Sequence, residues 1–302
     1  MGEWAADLAF ALDFAGQAGR RVRELVAAGL EVAAKADASP VTAADQELNE
    51  TFIEQVRARR PGDGVLGEEA SSAPSGTPLD RVDGVDGRVW VIDPVDGTQQ
   101  LILGIPVFMV SIALVVHGQP VVAVAHNPST GEMYWATAGG GAFRGGARDM
   151  AGGEGPRVVS RLSVSGRSAV DEALTVKGGG SVPAPGDLNA DGLLQVRTGA
   201  SSLVDASGSG RVTAEVHRFP WPSVFSGCKV AEGFWDADLY SGQAPWDCAA
   251  VALLVIEAGG RVSDRRGREQ RYDRPVQGCV LSNGLVHDVL VDSWWRSYRP
   301  RT

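Results

Sequence analysis

Apolar residues near the start of the chain recur at helical spacing. The face that they form comprises Trp4, Leu8, Leu12, Ala15, Val22 and Leu25. Because most steps are three or four residues, these side chains share one side of a helix, and we predict a long amphipathic helix that packs into the core. A second helix is predicted from Thr42 to the break at Pro61, with Leu48 and Phe52 on its buried face.

The middle of the chain has the pattern of strands. An uninterrupted apolar run at residues 89–92 predicts a buried strand. Three further segments, residues 107–116, 120–126 and 133–138, are separated by Gly, Asn and Pro turns. Short connections of this kind join neighbouring antiparallel strands, so we predict an antiparallel sheet.

The pattern changes after a glycine-rich stretch at residues 139–155. Strands predicted at 162–164, 212–217, 235–240, 261–263 and 276–281 alternate with helices predicted at 188–196, 223–231 and 246–258 and with a last helix ending at Trp294. Alternation of this type indicates an α/β layered fold. We therefore predict two domains, residues 1–150, with the antiparallel sheet in an α+β arrangement, and residues 151–302.

Composition limits the possible functions. The chain has 302 residues, 44% of them hydrophobic, and a net charge of −9, which argues against nucleic acid or an anionic membrane as the main partner. The three cysteines are far apart and form no Cys-x-x-Cys pair, so we expect buried thiols in a reducing cytoplasm. Glu3 and Asp7 argue against a signal peptide, and no apolar run approaches the ~20 residues of a membrane span.

Two carboxylates end the buried strand. Asp93 and Asp96 are separated by Pro-Val and followed by Gly97 and Thr98, where a helix is predicted to begin. Their oxygens, with the carbonyl of Val95, are hard ligands that suit Mg²⁺, and amides at a helix start attract anions such as phosphate. A solvated, Asp-rich turn is the alternative interpretation of this segment alone.

The segment with Asp93 and Asp96, residues 90–98, is accompanied by three others, residues 35–45, 66–69 and 245–250. They include Lys35, the Gly67-Glu68-Glu69 sequence and the Trp246-Asp247 pair. Together the four segments resemble the inositol monophosphatase superfamily of magnesium-dependent, lithium-sensitive phosphatases, over nearly the whole chain. The resemblance implies a layered αβαβα sandwich of the sugar-phosphatase type with two sub-domains, and a homodimer.

The resemblance also implies the metal ligands. One Mg²⁺ would be held by Glu68, Asp93 and the carbonyl of Val95, and a second by Asp93, Asp96 and Asp247, with two or three ions per site. Two cations about 3.5–4 Å apart can neutralise phosphoryl oxygens, acidify a water molecule and stabilise the leaving alkoxide.

Catalytic roles are implied in the same way. Thr98, polarised by Asp45, would orient the attacking water together with Glu68, and the amides of Gly97 and Thr98 would hold phosphate. Taken alone, Asp45 and Asp247 are also the acids that favour the first turn of a helix, so a purely structural role stays open for both.

The segments around the expected leaving group depart from the family pattern. Tyr240 occupies the position, seven residues before Asp247, where inositol monophosphatases carry a Glu that contacts a ring hydroxyl. The usual small loop before the next helix is replaced by residues 219–223, which include Trp221 and Ser223. We expect Trp221, Ser223 and Tyr240 to contact the substrate, with a less polar or base-bearing ester stacked on Trp221 or Tyr240. Alternatively, Trp221 packs inward.

The sequence as a whole therefore predicts a magnesium-dependent phosphomonoesterase that acts on a small-metabolite ester by metal-activated water. Sugar, cyclitol and amino-alcohol phosphates fit this expectation, and free myo-inositol phosphate does not. Histidinol phosphate, another substrate of the family, stays open. A nucleoside monophosphate phosphatase of a specialised pathway is one alternative. A catalytically silent regulatory protein that binds metal and phosphate is another, since a fold does not guarantee its function.

Overall fold

The computed structural model describes residues 2–35, 40–72, 87–146, 157–177, 200–204, 212–218 and 221–297. The helix predicted at 188–196 lies outside the described residues, as do positions 219 and 220 of the loop that departs from the family pattern. In the described parts of the chain no helix is both long enough and apolar enough to cross a membrane.

The helices and strands follow one another through the described residues. The helices are α1 Ala5–Ala28, α2 Ala43–Arg59, α3 Thr98–Ile102, α4 Ser223–Ala231, α5 Ala249–Glu257 and α6 His287–Ser297. The strands are β1 Val32–Ala34, β2 Pro40–Thr42, β3 Gly64–Gly67, β4 Arg88–Asp96, β5 Met109–Val116, β6 Gln119–His126, β7 Glu132–Thr137, β8 Gly141–Gly146, β9 Arg157–Arg161, β10 Thr175–Lys177, β11 Ala200–Val204, β12 Val212–Arg218, β13 Ala237–Tyr240, β14 Arg261–Ser263 and β15 Cys279–Ser282.

A seven-stranded sheet has the order β3-β4-β5-β6-β7-β8-β9. β3 runs parallel to β4, and every other neighbouring pair in this sheet is antiparallel. The antiparallel strands predicted between residues 107 and 138 are therefore confirmed. The glycine-rich stretch contributes β8, and β9 pairs with it, so this sheet continues past residue 150. The division of the chain at residue 150 stays a prediction.

A six-stranded sheet has the order β11-β12-β10-β13-β15-β14. β10 lies parallel to both β12 and β13, whereas the other pairs are antiparallel. The strand predicted at 162–164 is wrong, because Val164 instead donates its N–H to the carbonyl of Ala258 at 3.0 Å, outside any ladder. A separate two-stranded pair joins β1 to β2 ahead of α2.

Alternating side chains of β4 separate two parts of the core. Trp90 and Ile92 belong to the cluster that packs against α1 and α2, whereas Val89 and Val91 belong to the cluster that contains α4 and α5. α5 contacts β5 and β6 of the first sheet and also β14 of the second, and α6 contacts β11 and β15. The predicted αβαβα layering is therefore confirmed.

The first helix buries Ala15 and Val22 of the predicted face, as expected, together with a neighbouring face that was not predicted. Phe10, Phe14 and Ala18 are buried, while Trp4 and Leu8 pack only partly against the same core. The reason is aromatic contact with the neighbouring elements: the Phe14 and Phe52 rings lie 4.7 Å apart, and the Phe10 and Trp90 rings 5.1 Å apart. Aromatic side chains bury more area than the leucines, and their contacts orient α1 on the sheet.

Candidate metal centre

The parallel pairing of β3 with β4 places two acids side by side. Gly67 is in register with Ile92, so Glu68 and Asp93 follow directly at the ends of neighbouring strands. The N–H of Glu68 donates to the carbonyl of Ile92 at 3.2 Å. Two distant sequence segments thus contribute to one site.

An irregularity in β4 turns Asp93 and Asp96 towards each other. Asp93 pairs with Ser111 and Asp96 with Met109, so three steps along β4 match two steps along β5. In a regular strand, residues three apart point to opposite faces, and one extra residue restores the same side. Pro94 has no N–H for the ladder, and the N–H of Val95 donates to Oδ1 of Asp93 at 2.9 Å.

The third carboxylate comes from the segment before α5. Side-chain oxygens of Asp93, Asp96 and Asp247 lie within 4.8 Å of one another. The carbonyl of Trp246 accepts a hydrogen bond from the hydroxyl of Ser111 on β5 at 3.2 Å, which ties this segment to the first sheet. An arrangement of this kind can hold a cation between carboxylates.

Burial and mutual repulsion make the metal-free acids hard to ionise. Burial, followed by the charges of Glu68, Asp96 and Asp247, raises the pKa of Asp93 well above its usual range. The pKa of Asp96 is raised in the same way, and burial raises the pKa of Asp247 to about 6. A divalent cation would compensate these charges, and an all-oxygen donor set suits a hard cation such as Mg²⁺.

Thr98 and Asp45 meet beside this cluster. The Thr98 hydroxyl lies 3.0 Å from Oδ1 of Asp45 and 3.2 Å from the carbonyl of Val95, and it can donate to either. Oδ2 of Asp45 accepts from the N–H of Thr42 at 2.7 Å and from its hydroxyl at 2.5 Å. Burial raises the pKa of Asp45, and these hydrogen bonds oppose that shift. Sequence reasoning missed the role of Thr42, although the Thr-x-x-Asp spacing is a capping-box signal.

Comparison with known proteins places this arrangement in a family. The model of the inositol monophosphatase family matches residues 4–298. The chain belongs to the inositol monophosphatase family. A histidinol-phosphatase from Chlorobaculum parvum is 33% identical over 296 residues, which cover 98% of this chain and 99% of that protein. An inositol-1-monophosphatase from Rhizobium meliloti is 32% identical over 260 residues, or 85% of this chain and 83% of that protein.

A solved structure shows the same fold. The extragenic suppressor protein SuhB from Bartonella henselae superposes with a TM-score of 0.71 at 26% identity, covering 96% of this chain and 98% of that one. Together with the family match, this confirms the fold and the phosphoric monoester hydrolase class predicted from the sequence, and with them a metal-dependent phosphatase of small phosphate esters.

Ser223 has a different role in this family member from the one that the sequence predicted. Its hydroxyl donates to Oδ1 of Asp96 at 3.2 Å, and the N–H of Val224 donates to Oδ2 at 2.7 Å. Ser223 is only 4% exposed, so its side chain is buried against Asp96. The N-terminus of α4 therefore orients Asp96 and favours its charged form.

Tyr240 also departs from its predicted role as a stacking surface. It is 6% exposed, and its hydroxyl donates to Oδ2 of Asp247. Burial, followed by the charge of Asp247, raises the pKa of Tyr240, so the phenol stays a neutral donor. The structure thus places a hydrogen-bond donor beside Asp247, at the position where the family resemblance led us to expect a contact with substrate.

The turn at Gly97 packs against the loop that precedes α4. Gly97 has φ of 98°, and a Cβ atom there would lie 2.5 Å from Cγ of Pro222, so only glycine fits. Trp221, next to Pro222, is partly buried, and its ring lies 5.9 Å from that of Phe225. Trp221 is therefore the direct chain neighbour of Pro222, the residue that packs against Gly97.

Lys35 contributes a cation at the edge of the site. Its ammonium group lies 2.7 Å from Glu68 and 2.6 Å from Glu69. Although burial alone would lower the pKa of Lys35, hydrogen bonds to Glu68 and Glu69 raise it, so this lysine is charged. These ion pairs place Lys35 beside Glu68, one of the acids that the sequence predicted at the site.

Proposed function

We propose that this chain is a Mg²⁺-dependent phosphatase that hydrolyses the phosphate monoester of a small amino alcohol of the histidinol phosphate type. The observation that carries the proposal is the buried cluster of Asp93, Asp96 and Asp247, built from oxygen donors alone, beside the Thr98–Asp45 hydrogen bond. Hard cations and phosphate share such sites because each offsets the charge of the other.

We assign the ligands by the family pattern. Glu68, Asp93 and the carbonyl of Val95 would hold one Mg²⁺, and Asp93, Asp96 and Asp247 a second, with a third ion as a further option. When bound, these ions supply the positive charge that acidifies water and neutralises the phosphoryl and leaving oxygens. Asp93, bridging both positions, would be the central ligand.

The protein groups then orient the reactants. Asp45 accepts the hydrogen bond of Thr98, which leaves the oxygen of Thr98 free to accept a hydrogen bond from the attacking water. The Glu68 carboxylate can accept the proton that this water loses as its oxygen bonds to phosphorus and the ester P–O bond breaks, and the leaving alkoxide takes a proton from solvent. General-base assistance of this kind contributes about 10²–10⁴ in rate. The amides of Gly97 and Thr98, at the start of α3, would bind the phosphate oxygens.

The choice of substrate class follows from the positions around the leaving group. The family's substrate-contacting Glu is replaced by Tyr240, whose hydroxyl is engaged with Asp247. A polyol would lose its carboxylate acceptor there. The relative that matches 98% of this chain is named a histidinol-phosphatase, and Trp221 offers aromatic surface to an imidazole ring.

The decisive experiment is phosphate release from a panel of sugar, cyclitol, amino-alcohol and nucleoside monophosphates, with Mg²⁺ and with a chelator. Histidinol phosphate should have the highest kcat/KM, and turnover should require Mg²⁺. The Asp93→Asn variant serves as the blank for contaminating phosphatases. A preference for myo-inositol 1-phosphate or for a nucleotide would overturn the substrate assignment, and metal-independent turnover would overturn the mechanism.

Trp221 is expected to determine selectivity. Trp221→Ala should lower kcat/KM for histidinol phosphate about three- to tenfold, because an aromatic contact contributes about 0.5–1.5 kcal/mol. Turnover of glycerol phosphate, which has no ring, should change less than about twofold on the same argument. The measurement is steady-state kinetics with both esters.

Trp235→Ala is the matched control for this variant. Trp235 contacts the same phenylalanine as Trp221 does, because its ring lies 6.3 Å from that of Phe225. It should perturb local packing as Trp221→Ala does and leave the ratio of the two kcat/KM values unchanged. An unchanged ratio in Trp221→Ala as well would show that Trp221 packs inward without contacting substrate.

We further propose a homodimer located in the cytoplasm, with domains of residues 1–150 and 151–302. The free, buried thiols of Cys228, Cys248 and Cys279 support a reducing compartment. Sedimentation equilibrium of the purified chain tests the oligomeric state directly, and a monomer across the accessible concentration range would contradict the dimer.

A further inference from the structure

Among the three clustered aspartates, Asp247 has the least support from the main chain. It lies in the segment between β13 and α5, outside any strand or helix, and it is partly exposed, unlike Asp93 and Asp96. Asp96 is oriented by two hydrogen bonds from α4, and Asp93 by the N–H of Val95. A carboxylate on such a segment needs another group to fix its rotamer if it is to bind a cation tightly.

Tyr240 is well placed to supply that constraint. It is the last residue of β13 and pairs in register with Cys279 of β15, so its backbone belongs to the second sheet. Its ring is buried, and its hydroxyl donates to Oδ2 of Asp247. β13 therefore fixes the position of Tyr240, and the hydroxyl of Tyr240 orients the carboxylate of Asp247.

The segment between the two residues is shaped around the phenol. A Cβ atom on Gly242 would lie 2.1 Å from the Tyr240 hydroxyl and 2.3 Å from its Cζ atom. Gly242 also accepts a main-chain hydrogen bond from Gly278 at 3.1 Å, which fixes the segment to the turn before β15. The absence of a side chain at position 242 is thus what admits the phenol beside Asp247.

We propose that Tyr240 is a positioning residue for the metal centre: its hydroxyl holds Asp247 beside Asp93 and Asp96 and so sets the affinity of the second cation. The inference rests on the proposed metal-dependent function and deepens it. It implies that Tyr240 serves the metal site and not the substrate. Selection of the leaving group then depends on other residues.

The test measures Mn²⁺ binding to the full chain in the absence of substrate. Calorimetry and the electron paramagnetic resonance signal of free Mn²⁺ report the affinity. Tyr240→Phe removes the donor and keeps the ring. It should lower the affinity of one class of Mn²⁺ sites by about 10–100-fold, as loss of a hydrogen bond to a metal ligand typically does. Asp247→Asn should weaken the same class and identifies it.

Two further variants separate positioning from general packing. Tyr134→Phe is the matched control, because Tyr134 is a buried tyrosine of the same core cluster whose hydroxyl contacts Glu232 and Lys229. It should bind Mn²⁺ as the wild type does. Gly242→Ala should displace the phenol and reproduce the loss seen in Tyr240→Phe, with thermal unfolding used to verify that each variant is folded.

The outcomes distinguish this inference from the proposed function. Wild-type Mn²⁺ affinity in folded Tyr240→Phe would overturn the positioning role while leaving the metal site intact. Equal loss in Tyr134→Phe would also overturn it, since the effect would then be one of packing. If the wild type and Asp93→Asn bind Mn²⁺ alike, the proposed metal-dependent function itself fails.

Discussion

Asp93→Asn is expected to abolish metal-dependent phosphate release and, in the same protein, to raise the stability of the metal-free state. Asp93 is 1% exposed and lies among Glu68, Asp96 and Asp247. Asp93 is a proposed ligand of both metal ions, whose positive charge would stabilise the transition state by several kcal/mol. Turnover of the variant should therefore fall by about a thousandfold or more.

The gain in stability has a separate cause. Without a metal, a buried carboxyl group at position 93 must either ionise beside other acids or take up a proton, and both cost free energy. Asparagine has nearly the same shape and no charge, and its oxygen can still accept the hydrogen bond that Val95 donates to Asp93. We expect the midpoint of thermal unfolding in a chelator to rise by several degrees, since about 1 kcal/mol corresponds to about 2–4 °C in a chain of this size class.

Asp236→Asn provides the control of opposite sign. Asp236 is also fully buried, but it accepts hydrogen bonds from Ser165, Arg167 and the N–H of Leu174. Removing that charge leaves a paired arginine without its partner and should lower the unfolding temperature. Differential scanning fluorimetry of both variants, with chelator and with Mg²⁺, makes the comparison. Destabilisation of Asp93→Asn by the same amount as Asp236→Asn would contradict the repulsion argument.

The sequence predicted the parts of the site that depend on local chemistry. Asp93, Asp96 and Thr98 lie in one short segment whose proline, glycine and acid spacing indicates both a metal and an anion. The apolar run before them predicts the strand that buries them, and the structure confirms that strand as β4, Arg88–Asp96. The layered fold followed from alternating periodicities, which are also local.

What the sequence could not predict depends on contacts between distant residues. Ser223 and Tyr240 were expected at the substrate because their positions border the leaving group, yet side-chain packing turns both towards carboxylates. The close fit of Gly242 to the phenol of Tyr240 has no sequence signature. In α1, leucines and phenylalanines both recur at helical spacing, and only the aromatic partners Phe52 and Trp90 show which face is buried.

The metal-free protein is expected to lose stability as the pH rises from about 4 to about 7, and Mg²⁺ is expected to reverse that trend. Burial places the folded-state pKa of Asp247 at about 6 and raises those of Asp93 and Asp96 as well. An unfolded aspartate ionises near pH 3.9, so in this window the folded state binds more protons than the unfolded state. Stability must therefore fall with rising pH, by roughly 2–3 kcal/mol for Asp247 alone.

Bound Mg²⁺ requires ionised ligands, so its stabilising effect should grow over the same window in which the metal-free protein weakens. Urea unfolding across this range, in a chelator and with Mg²⁺, measures both slopes. Asp247→Asn removes the group with the pKa of about 6 and should flatten the slope in the chelator. A metal-free protein whose stability rises between pH 4 and pH 7 would contradict this argument, because the carboxylates of the cluster would then ionise without a cost in stability.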